Sequence, residues 1–203
     1  MANSRTSPVT TASGLTAREY LASVQEVLQR LDHAVIDRMA EAVWRGYEAG
    51  KTLFLFGNGG SAALASHFAC DMAKGTVTGG ERRLKAIALT DNVPLLTAWA
   101  NDKGYEDIFS EQLDALAQKG DLAMAISGSG NSPNVVNGLG AARRLGLQTL
   151  ALTGFAGGRA KPLADLCLVV PSDLMQHIED AHLCASHAIF LAIRERMKQA
   201  NGF

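Results

Sequence analysis

The stretch that decides the fold is Thr52 to Ser61, TLFLFGNGGS, in which a short apolar run ends at three glycines in four positions. The apolar run predicts a buried strand, and the Ala-rich residues from Ser61 onward predict a helix. Because Gly57, Gly59 and Gly60 lack Cβ atoms, the backbone there can adopt positive φ and an anion can approach main-chain N–H groups. The stretch therefore predicts a strand, a phosphate-binding loop and a helix, although a plain βα turn fits the same glycines.

A second polar loop favours the phosphate interpretation. The apolar run from Leu122 to Ile126 continues into SGSGNS, Ser127 to Ser132, and a helix then follows with Pro133 in its first turn. The three hydroxyls of this loop can donate hydrogen bonds to an anion. Two such loops at the carboxyl ends of two strands are where open α/β sheets bind ligands.

Composition limits the classes of protein and partner. The chain has 203 residues, of which 47% are hydrophobic and 19% charged, and its net charge is −1. Such a chain is long enough for one well-packed domain, and its charge gives no electrostatic reason to expect nucleic acid or a membrane surface. A small molecule or another protein is the expected partner.

The cysteines and the amino terminus indicate a cellular compartment. Cys70, Cys167 and Cys184 show no CxxC spacing, so we expect buried free thiols rather than disulfides or a structural zinc site. Residues 1–14 are rich in Ser and Thr and lack the apolar core of a signal peptide, and no run of 18 apolar residues follows. We expect a soluble cytoplasmic protein with a disordered tail over 1–14 and a single domain over 15–203.

Short apolar strands alternate with helices along the chain, which predicts a parallel sheet covered by helices on both faces. The fold class is thus α/β, three-layered and doubly wound, with five strands and two additional N-terminal helices. The predicted strands are 52–56, 84–89, 122–126, 148–152 and 166–170. The predicted helices are 15–31, 34–47, 61–74, 93–99 (ended by Asn101 and Asp102), 105–118, 131–145 and 176–197, with a short one at 160–163.

The two N-terminal helices, 15–31 and 34–47, each have an apolar face at three-and-four spacing. A minimal sheet domain provides no partner for these faces. We therefore expect them to pack on another subunit of a homo-oligomer.

Two helices carry candidate catalytic or metal-ligating residues. His67 and Asp71 are four residues apart, so they share a helix face at a spacing that suits metal ligands. The last helix adds Glu179, His182 and His187, together with Asp180, in an otherwise apolar segment. Core hydrogen bonding or a surface contact would also explain each of them singly. Glu179 and His187 differ by roughly 12 Å along the axis and about 80° around it, so they can share a metal only at a point midway between them.

Three other motifs fit poorly. The segment GNGGSA from Gly57 matches the dinucleotide fingerprint G-x-G-x-x-A, but the acidic residue expected about 20 positions later is missing. No Walker A lysine follows these glycines, and the loop from Ser127 does not complete the G-x-S-x-G elbow.

On these residues the chain resembles the SIS (sugar isomerase) domain, and within it the phosphoheptose isomerase family. The resemblance rests on GNGGSA with His67 and Phe68, ANDKGY at 100–105, SGSGNS at 127–132, LTG at 152–154 with GG at 157–158, and the Glu179 to His187 segment. It implies a flavodoxin-like sheet of five strands and a homotetramer with sites between subunits. It also implies zinc as cofactor and conversion of sedoheptulose 7-phosphate to D-glycero-D-manno-heptose 7-phosphate.

The resemblance also implies which residues form the site. The substrate would be lined by Asn58, Gly59, Gly60, Ser61, Asp71, Asn101, Asp102, Ser127, Gly128, Ser129, Ser132 and Glu179. Zinc binding and proton transfer would fall to His67, Asp71, Glu179 and His187. Ketose–aldose isomerisation moves a proton between C1 and C2 through an enediol, and our hypothesis assigns Asp71 as the base and His187 as the acid or a metal-bound partner.

The chain departs from the usual family pattern at four positions: Asp71 replaces Glu, Glu179 replaces Gln, Gly128 replaces Thr and Gly75 replaces Arg. Asp71 is one methylene shorter than Glu, a difference in reach of about 1.5 Å. The carboxylate of Glu179 adds a negative charge, which favours a divalent metal.

Two alternatives stay open at this level. One is a non-catalytic SIS protein that binds a partner protein, as in replication-initiation regulators that resemble this family. The other is a SIS isomerase acting on a different sugar phosphate, because phosphate loops do not distinguish the length of a sugar.

Overall fold

A computed structural model describes residues 15–79 and 82–200 of the chain. The predicted disordered tail, 1–14, lies outside the described residues. The division into that tail and one domain over 15–203 therefore stays a prediction.

Helices and strands alternate through the described residues. Their bounds are α1 (Ala17–Gln29), α2 (His33–Glu48), β1 (Thr52–Gly57), α3 (Gly60–Cys70), β2 (Lys85–Ala88), α4 (Val93–Asp102), α5 (Ser110–Leu116), β3 (Leu122–Ser127), α6 (Pro133–Arg144), β4 (Gln148–Thr153), β5 (Leu166–Val169) and α7 (Met175–Ala200). A π-helical turn, Asp71–Gly75, continues α3, and 3-10 turns occupy Tyr105–Asp107 and Lys161–Leu163.

The five strands form one parallel sheet in the order β2-β1-β3-β4-β5. This is the flavodoxin-like order, which confirms the predicted fold class. From β1 the chain passes first to one side of the sheet and then to the other, so the direction of winding reverses between β1 and β3. Ligands of open α/β sheets bind in the crevice at this switch point, where both glycine-containing loops begin.

The alternation of side chains along β1 divides the interior into two hydrophobic cores. Leu53 and Leu55 face the core shared with α1, α2, α3 and α7. Phe54 and Phe56 face the core shared with α4, α5 and α6. Successive side chains of a strand point to opposite faces, so one buried strand supports both layers of helices.

The two N-terminal helices pack differently from the sequence-based expectation. The apolar face of α2, including Met39, and Val27 of α1 are buried in the chain's own core against α7. The expectation that another subunit covers these faces is therefore wrong for α2 and for this part of α1, whereas Leu21 of α1 is 66% exposed. The sequence of α7 is apolar along much of its length, and this pattern does not show which helices α7 contacts. For this reason the sequence did not indicate α7 as the partner of α1 and α2.

Two of the predicted helices, 61–74 and 105–118, are not continuous α-helices in the structure. The helix predicted over 61–74 loses α-helical geometry at Asp71, where the π-helical turn starts. The helix predicted over 105–118 is reduced to a 3-10 turn and α5. Asp121 explains the early end of α5, because its Oδ2 accepts a 2.8 Å hydrogen bond from the N–H of Gln118.

The segment Asn101–Asp102 does not break α4, contrary to the prediction, but forms its last two residues. Gly104 ends the helix instead. Its φ of 126° lies outside the range that other residues adopt readily, and its N–H donates to the carbonyl of Trp99 at 3.2 Å.

The three cysteines are free, but their predicted burial is wrong for two of them. Cys70 and Cys184 are exposed, and Cys167 is half-buried. Cys70 is the last residue of α3, and Cys184 follows the exposed Leu183 on α7. Within the described residues, no helix is long and apolar enough to cross a membrane.

Candidate active site

The loop after β1 is shaped by close backbone packing. A Cβ atom on Gly57 would lie 2.6 Å from the carbonyl oxygen of Ile126 in β3, so only glycine fits there. Gly59 has a φ of 55°, which glycine adopts without strain. Helix α3 begins directly after it at Gly60, and its first N–H groups therefore face the crevice between β1 and β3.

The side chain of Asn58 links this loop to the start of α6. The amides of Asn58 and Asn134 exchange two hydrogen bonds of 2.8 Å, and the Tyr105 hydroxyl donates to Asn58 Oδ1 at 3.1 Å. Asn134 is almost completely buried. Sequence reasoning missed Asn134, although a polar residue directly after Pro133 in the first turn of α6 was a usable signal.

The loop that begins at the end of β3, residues 127–132, is called here the serine loop, and it forms the other wall of the crevice. Ser132 is the N-cap of α6, but its hydroxyl makes no capping hydrogen bond and is therefore free to contact a ligand. Gly128 lies so close to α7 that a Cβ atom would be 2.4 Å from the sulfur of Met175. A cavity of about 290 Å³, called here the anion cavity, is lined by Asn58, Gly59, Gly60, Ser61, Ile126, Ser127, Gly128, Ser129, Ser132, Met175 and Glu179.

Three of the four predicted metal-ligating residues converge where the C-terminal end of α3 meets the middle of α7. His67 Nε2 lies 3.1 Å from His187 Nε2 and 3.2 Å from Asp71 Oδ2, and His187 Nε2 lies 3.7 Å from the same Asp71 oxygen. We call these residues the His–Asp–His cluster. Their side chains are between 25% and 50% exposed, so an ion or a substrate can reach them from solvent.

The spacing of the cluster suits zinc. Zinc holds imidazole nitrogens and carboxylate oxygens at about 2.0–2.2 Å in a tetrahedron, which separates neighbouring ligand atoms by about 3.4 Å. The three distances in the cluster lie between 3.1 and 3.7 Å. Three protein ligands also leave a fourth position open, as catalytic zinc sites require.

Asp71 occupies the junction where α3 changes to π-helical geometry. Single π-helical turns inside α-helices occur frequently at functional sites. Sequence spacing correctly predicted that His67 and Asp71 would share a face, but it gave no sign of the changed helical geometry.

Glu179 lies apart from the His–Asp–His cluster. Its carboxylate lies against the backbone of Gly60, because a Cβ atom placed there would be 2.9 Å from Glu179 Oε1. The structure therefore places the fourth predicted ligand at the N-terminus of α3, where the helix dipole favours an anion. Eight residues along α7 separate Glu179 from His187, and the two side chains do not meet at one point.

A second cavity of about 430 Å³, the metal cavity, contains the cluster residues His67 and His187. It shares Gly60, Ser61 and Glu179 with the anion cavity. The two cavities thus adjoin along the first turn of α3, and a single extended ligand can reach from the serine loop to the His–Asp–His cluster.

His182 lines the metal cavity from the interior and is 1% exposed. Burial lowers its pKa to about 4, although the hydrogen bond to the Thr153 carbonyl opposes this shift. The ring is therefore neutral near pH 7. Sequence reasoning placed His182 among the ionisable residues of α7 but did not distinguish it from His187.

Helix α1 contributes one polar contact to this region. The Tyr20 hydroxyl donates to a carboxylate oxygen of Asp180, which lines the metal cavity. Burial, and then the hydrogen bond to Asp180, raise the pKa of Tyr20 to about 12. The phenol is therefore protonated at neutral pH and remains a donor.

Asn101 and Asp102 lie elsewhere. Both are exposed at the end of α4, where Asn101 Nδ2 donates to Asp102 Oδ1 at 2.8 Å. They line neither the anion cavity nor the metal cavity. The structure thus brings together the predicted residues of both loops, α3 and α7, but not these two.

Comparison with known proteins agrees with this arrangement. Residues 19–154 match the SIS domain family, so the fold and the crevice define a SIS-domain protein.

Similar proteins identify a family within the SIS-domain proteins. The chain is 41% identical to a probable phosphoheptose isomerase of Thermoplasma acidophilum over 180 residues, covering 89% of this chain and 98% of that protein. It is 42% identical to a phosphoheptose isomerase of Aliarcobacter butzleri, covering 86% and 90% of the two chains. The solved structure of phosphoheptose isomerase GmhA from Neisseria gonorrhoeae superimposes with a TM-score of 0.79 at 32% identity, covering 88% and 98%. The chain belongs to the phosphoheptose isomerase family of SIS-domain proteins.

Proposed function

We propose that the chain is an isomerase that converts sedoheptulose 7-phosphate to D-glycero-D-manno-heptose 7-phosphate through an enediol. Its relatives in Aliarcobacter butzleri and Neisseria gonorrhoeae are phosphoheptose isomerases. The observation that carries the proposal is that the anion cavity and the metal cavity adjoin through Gly60, Ser61 and Glu179. A phosphorylated sugar needs such an arrangement, with its phosphate at one end and its reacting carbons at the other.

The serine loop is the proposed phosphate site. The hydroxyls of Ser127, Ser129 and Ser132 line the anion cavity, and the cavity lies at the N-terminus of α6, where the helix dipole favours an anion. The first turn of α3 suits the phosphate less well, because the Glu179 carboxylate already lies against Gly60 and would repel a second anion. We propose that Glu179 instead accepts hydrogen bonds from hydroxyl groups in the middle of the sugar.

Asp71 and His187 are the proposed proton-transfer residues. Asp71 would remove the proton from one of the two reacting carbons and return it to the other. His187 would act either as the acid at the developing oxygen or, where its Nε2 holds the metal, as a metal ligand, and the metal would then stabilise that oxygen. His187 lines the metal cavity, whereas Asp71 does not and lies behind it, 3.7 Å from His187 Nε2 and 3.2 Å from His67 Nε2. The proposal therefore requires the reacting carbons to lie at the end of the cavity where the His–Asp–His cluster is. His67 would keep its ring directed at the same point.

Zinc is the proposed cofactor, held by His67, Asp71 and His187, whose spacing suits its tetrahedral geometry. When bound, it would polarise the substrate carbonyl and stabilise negative charge that develops on the oxygen. Glu179 was also expected to be a ligand, but its position beside Gly60 favours a contact with the sugar instead.

We also propose a homotetramer in which Asn101 and Asp102 reach a site formed with a neighbouring subunit. Both side chains are exposed and outside the two cavities of their own chain. Exposed Leu21, Leu183 and Leu191 on α1 and α7 supply apolar surface for such contacts. A cytoplasmic location is proposed as well, because free cysteines suit a reducing compartment.

The test is an isomerase assay on a panel of ketose phosphates, combined with metal analysis of the purified protein. We expect turnover of the seven-carbon ketose 7-phosphate, with zinc near one equivalent per chain. If only a different ketose phosphate is turned over, the proposed substrate is wrong but the proposed reaction, isomerisation, stands. Absence of turnover with every sugar, in protein saturated with zinc, would contradict the proposal and favour a partner-binding SIS protein.

A further inference from the structure

His182 lies on α7 between Glu179 and His187, two residues of the proposed site. Ile178, His182 and Ser186 are spaced four residues apart and form one row on the helix, called here the anchor row. All three side chains are buried. Glu179, Leu183 and His187 form the neighbouring row, which lines the metal cavity. The anchor row therefore sets the orientation of the residues that face the substrate.

The anchor row contacts the carboxyl end of β4. The Ile178 side chain fills the space beside Gly154, where a Cβ atom would be only 2.3 Å from its Cδ1 atom. His182 Nε2 lies 3.1 Å from the carbonyl oxygen of Thr153, the last residue of β4. A carbonyl oxygen can only accept, so Nε2 carries the hydrogen and donates it. This bond fixes the position of α7 along the end of β4.

The same strand end is tied to the serine loop. The N–H of Gly154 donates to the carbonyl oxygen of Gly128 at 2.8 Å, and the Thr153 carbonyl also accepts the N–H of Val170 at 2.8 Å. His182 thus connects α7, which carries Glu179 and His187, to the backbone that shapes the anion cavity.

The polar character of the anchor row is not needed for packing. His182 Nδ1 and Ser186 Oγ are buried and have no hydrogen-bond partner among residues 15–79 and 82–200. A buried polar atom without a partner costs stability, whereas apolar side chains at these positions would not. The imidazole is therefore better explained by its bond to Thr153 than by core packing.

We propose that His182 is a positioning residue for the isomerisation: its hydrogen bond to Thr153 sets the orientation of α7, so that Glu179 faces the middle of the sugar and His187 faces its reacting carbons. This inference rests on the proposed function. A displacement of about 1 Å at a reacting group can lower the rate about 100-fold. His182 itself contacts neither the serine loop side chains nor the residues of the His–Asp–His cluster in any hydrogen bond of the described residues.

Two polar variants test the bond. His182→Gln places an amide N–H near the position of Nε2 and can still donate to Thr153, whereas the amide of His182→Asn is too short to do so. The measurements are kcat and KM for the sugar phosphate, and the affinity of the metal-free protein for Co²⁺ as a spectroscopic substitute for zinc. We expect His182→Asn to lower kcat about 100-fold with a smaller change in KM. Its Co²⁺ affinity should fall about 10-fold, while His182→Gln stays much closer to the wild type on both measures.

His177→Gln is the matched control. His177 is also a buried histidine of α7, but its ring bonds Ser23 and Ser172 and lines neither cavity. This variant should keep the wild-type kcat and Co²⁺ affinity even where its melting temperature falls. A purely structural role of His182 would move the melting temperature without separating the two His182 variants in kcat.

The outcomes distinguish this inference from the proposed function. If the wild type turns over no sugar phosphate, the proposed function fails, and Co²⁺ affinity alone then decides the positioning role. A His182→Asn variant with wild-type kcat and Co²⁺ affinity would overturn the inference. Equal losses in the Gln and Asn variants would overturn it as well, because the N–H donated to Thr153 would then not be the important feature.

Discussion

His187 lies within 3.1 Å of His67, although 120 residues separate them in the chain. Asp71 completes the cluster from the same helix as His67. Each of these side chains alone is compatible with an ordinary surface contact. Their convergence supports the proposed metal site, because three ligand atoms at this spacing match the geometry of zinc ligands.

Replacing His187 with Ala should nearly abolish isomerisation. General acid–base catalysis contributes about 10²- to 10⁴-fold, so we expect kcat to fall by about 10³-fold or more. The measurement is steady-state kinetics with the seven-carbon ketose phosphate. His33→Ala is the control, because His33 is an exposed histidine of α2 outside both cavities. Unchanged turnover in a folded His187→Ala protein would refute the assigned role.

Replacing Asp71 with Asn keeps the shape of the side chain but removes its charge. Because a neutral amide is a poorer ligand for zinc than a carboxylate, we expect metal affinity to fall by more than about 10-fold. Titration of the metal-free protein with Zn²⁺, followed by calorimetry, measures this. Asp114→Asn, which alters an exposed carboxylate paired with Arg144, should leave the affinity unchanged. Equal affinities in the two variants would remove Asp71 from the metal site.

At the scale of elements, α7 joins the parts of the site. It covers one face of the sheet, buries the apolar faces of α1 and α2, and brings its first half to the crevice between β1 and β3. Its contact with β4 depends on one glycine and one neutral histidine, Gly154 and His182. The contact between α7 and β4 should therefore weaken when His182 is protonated or when a methyl group is added at Gly154.

Acidification should weaken this contact through His182. Burial lowers the pKa of His182 from 6.5 to about 4, so the unfolded chain binds a proton between these pH values that the folded chain does not. Stability is therefore fully present above pH 6.5 and falls as the pH drops towards 4. The expected loss is about 3 kcal/mol.

The measurement is urea unfolding at a series of pH values from 7 to 4, for the wild type and for His182→Gln. Glutamine does not titrate in this range, so the variant should lose less stability on acidification than the wild type. Parallel losses in both proteins would show that other groups cause the acid sensitivity.

Adding a methyl group at Gly154 should also disturb the contact. A Cβ atom there would lie 2.3 Å from Ile178 Cδ1, and overpacking of this kind costs about 1–3 kcal/mol. Combining Gly154→Ala with Ile178→Val should restore part of the loss. Gly140→Ala is the matched control, because Gly140 lies in α6 with nothing within 4 Å of the position that a Cβ atom would take, and the change should stabilise the helix slightly. Denaturant unfolding measures all three, and a neutral Gly154→Ala would show that α7 can move away freely.

At the scale of the whole molecule, several apolar side chains near the site are exposed to solvent in the single chain. Leu183 lines the metal cavity, and Leu191 is exposed two turns further along α7. Leu21 of α1 is also exposed. Such apolar surface next to a cavity suits contact with further copies of the chain.

Introducing a charge at Leu191 should therefore weaken assembly. Leu191 is 50% exposed in the single chain, and a carboxylate buried at an interface would be costly. We expect Leu191→Glu to shift the mass measured by light scattering from a tetramer to smaller species, with an unchanged circular dichroism spectrum. Lys119→Glu, a charge reversal in the exposed turn before β3, should leave the mass unchanged. A monomeric wild type would contradict the proposed tetramer directly.

Sequence reasoning reached much of the fold because its signals are local. The apolar runs that became β1 and β3, the glycines after β1 and the four-residue spacing of His67 and Asp71 all act over a few residues. It was less successful at helix ends, which single hydrogen bonds decide. Beyond the end of α5 the N–H of Gln118 donates to the Asp121 carboxylate, and at the end of α4 the N–H of Gly104 donates to the carbonyl of Trp99.

By itself, the sequence determined the five strands, both crevice loops and most candidate residues, because periodicity and glycine sterics are set by neighbours along the chain. Only the tertiary structure decided that Glu179 lies against Gly60, that Asn58 pairs with Asn134 and that α1 and α2 pack on α7. These contacts depend on how helices approach one another across the core. That approach is set by the fit of many buried side chains at once, and no short stretch of the chain contains it.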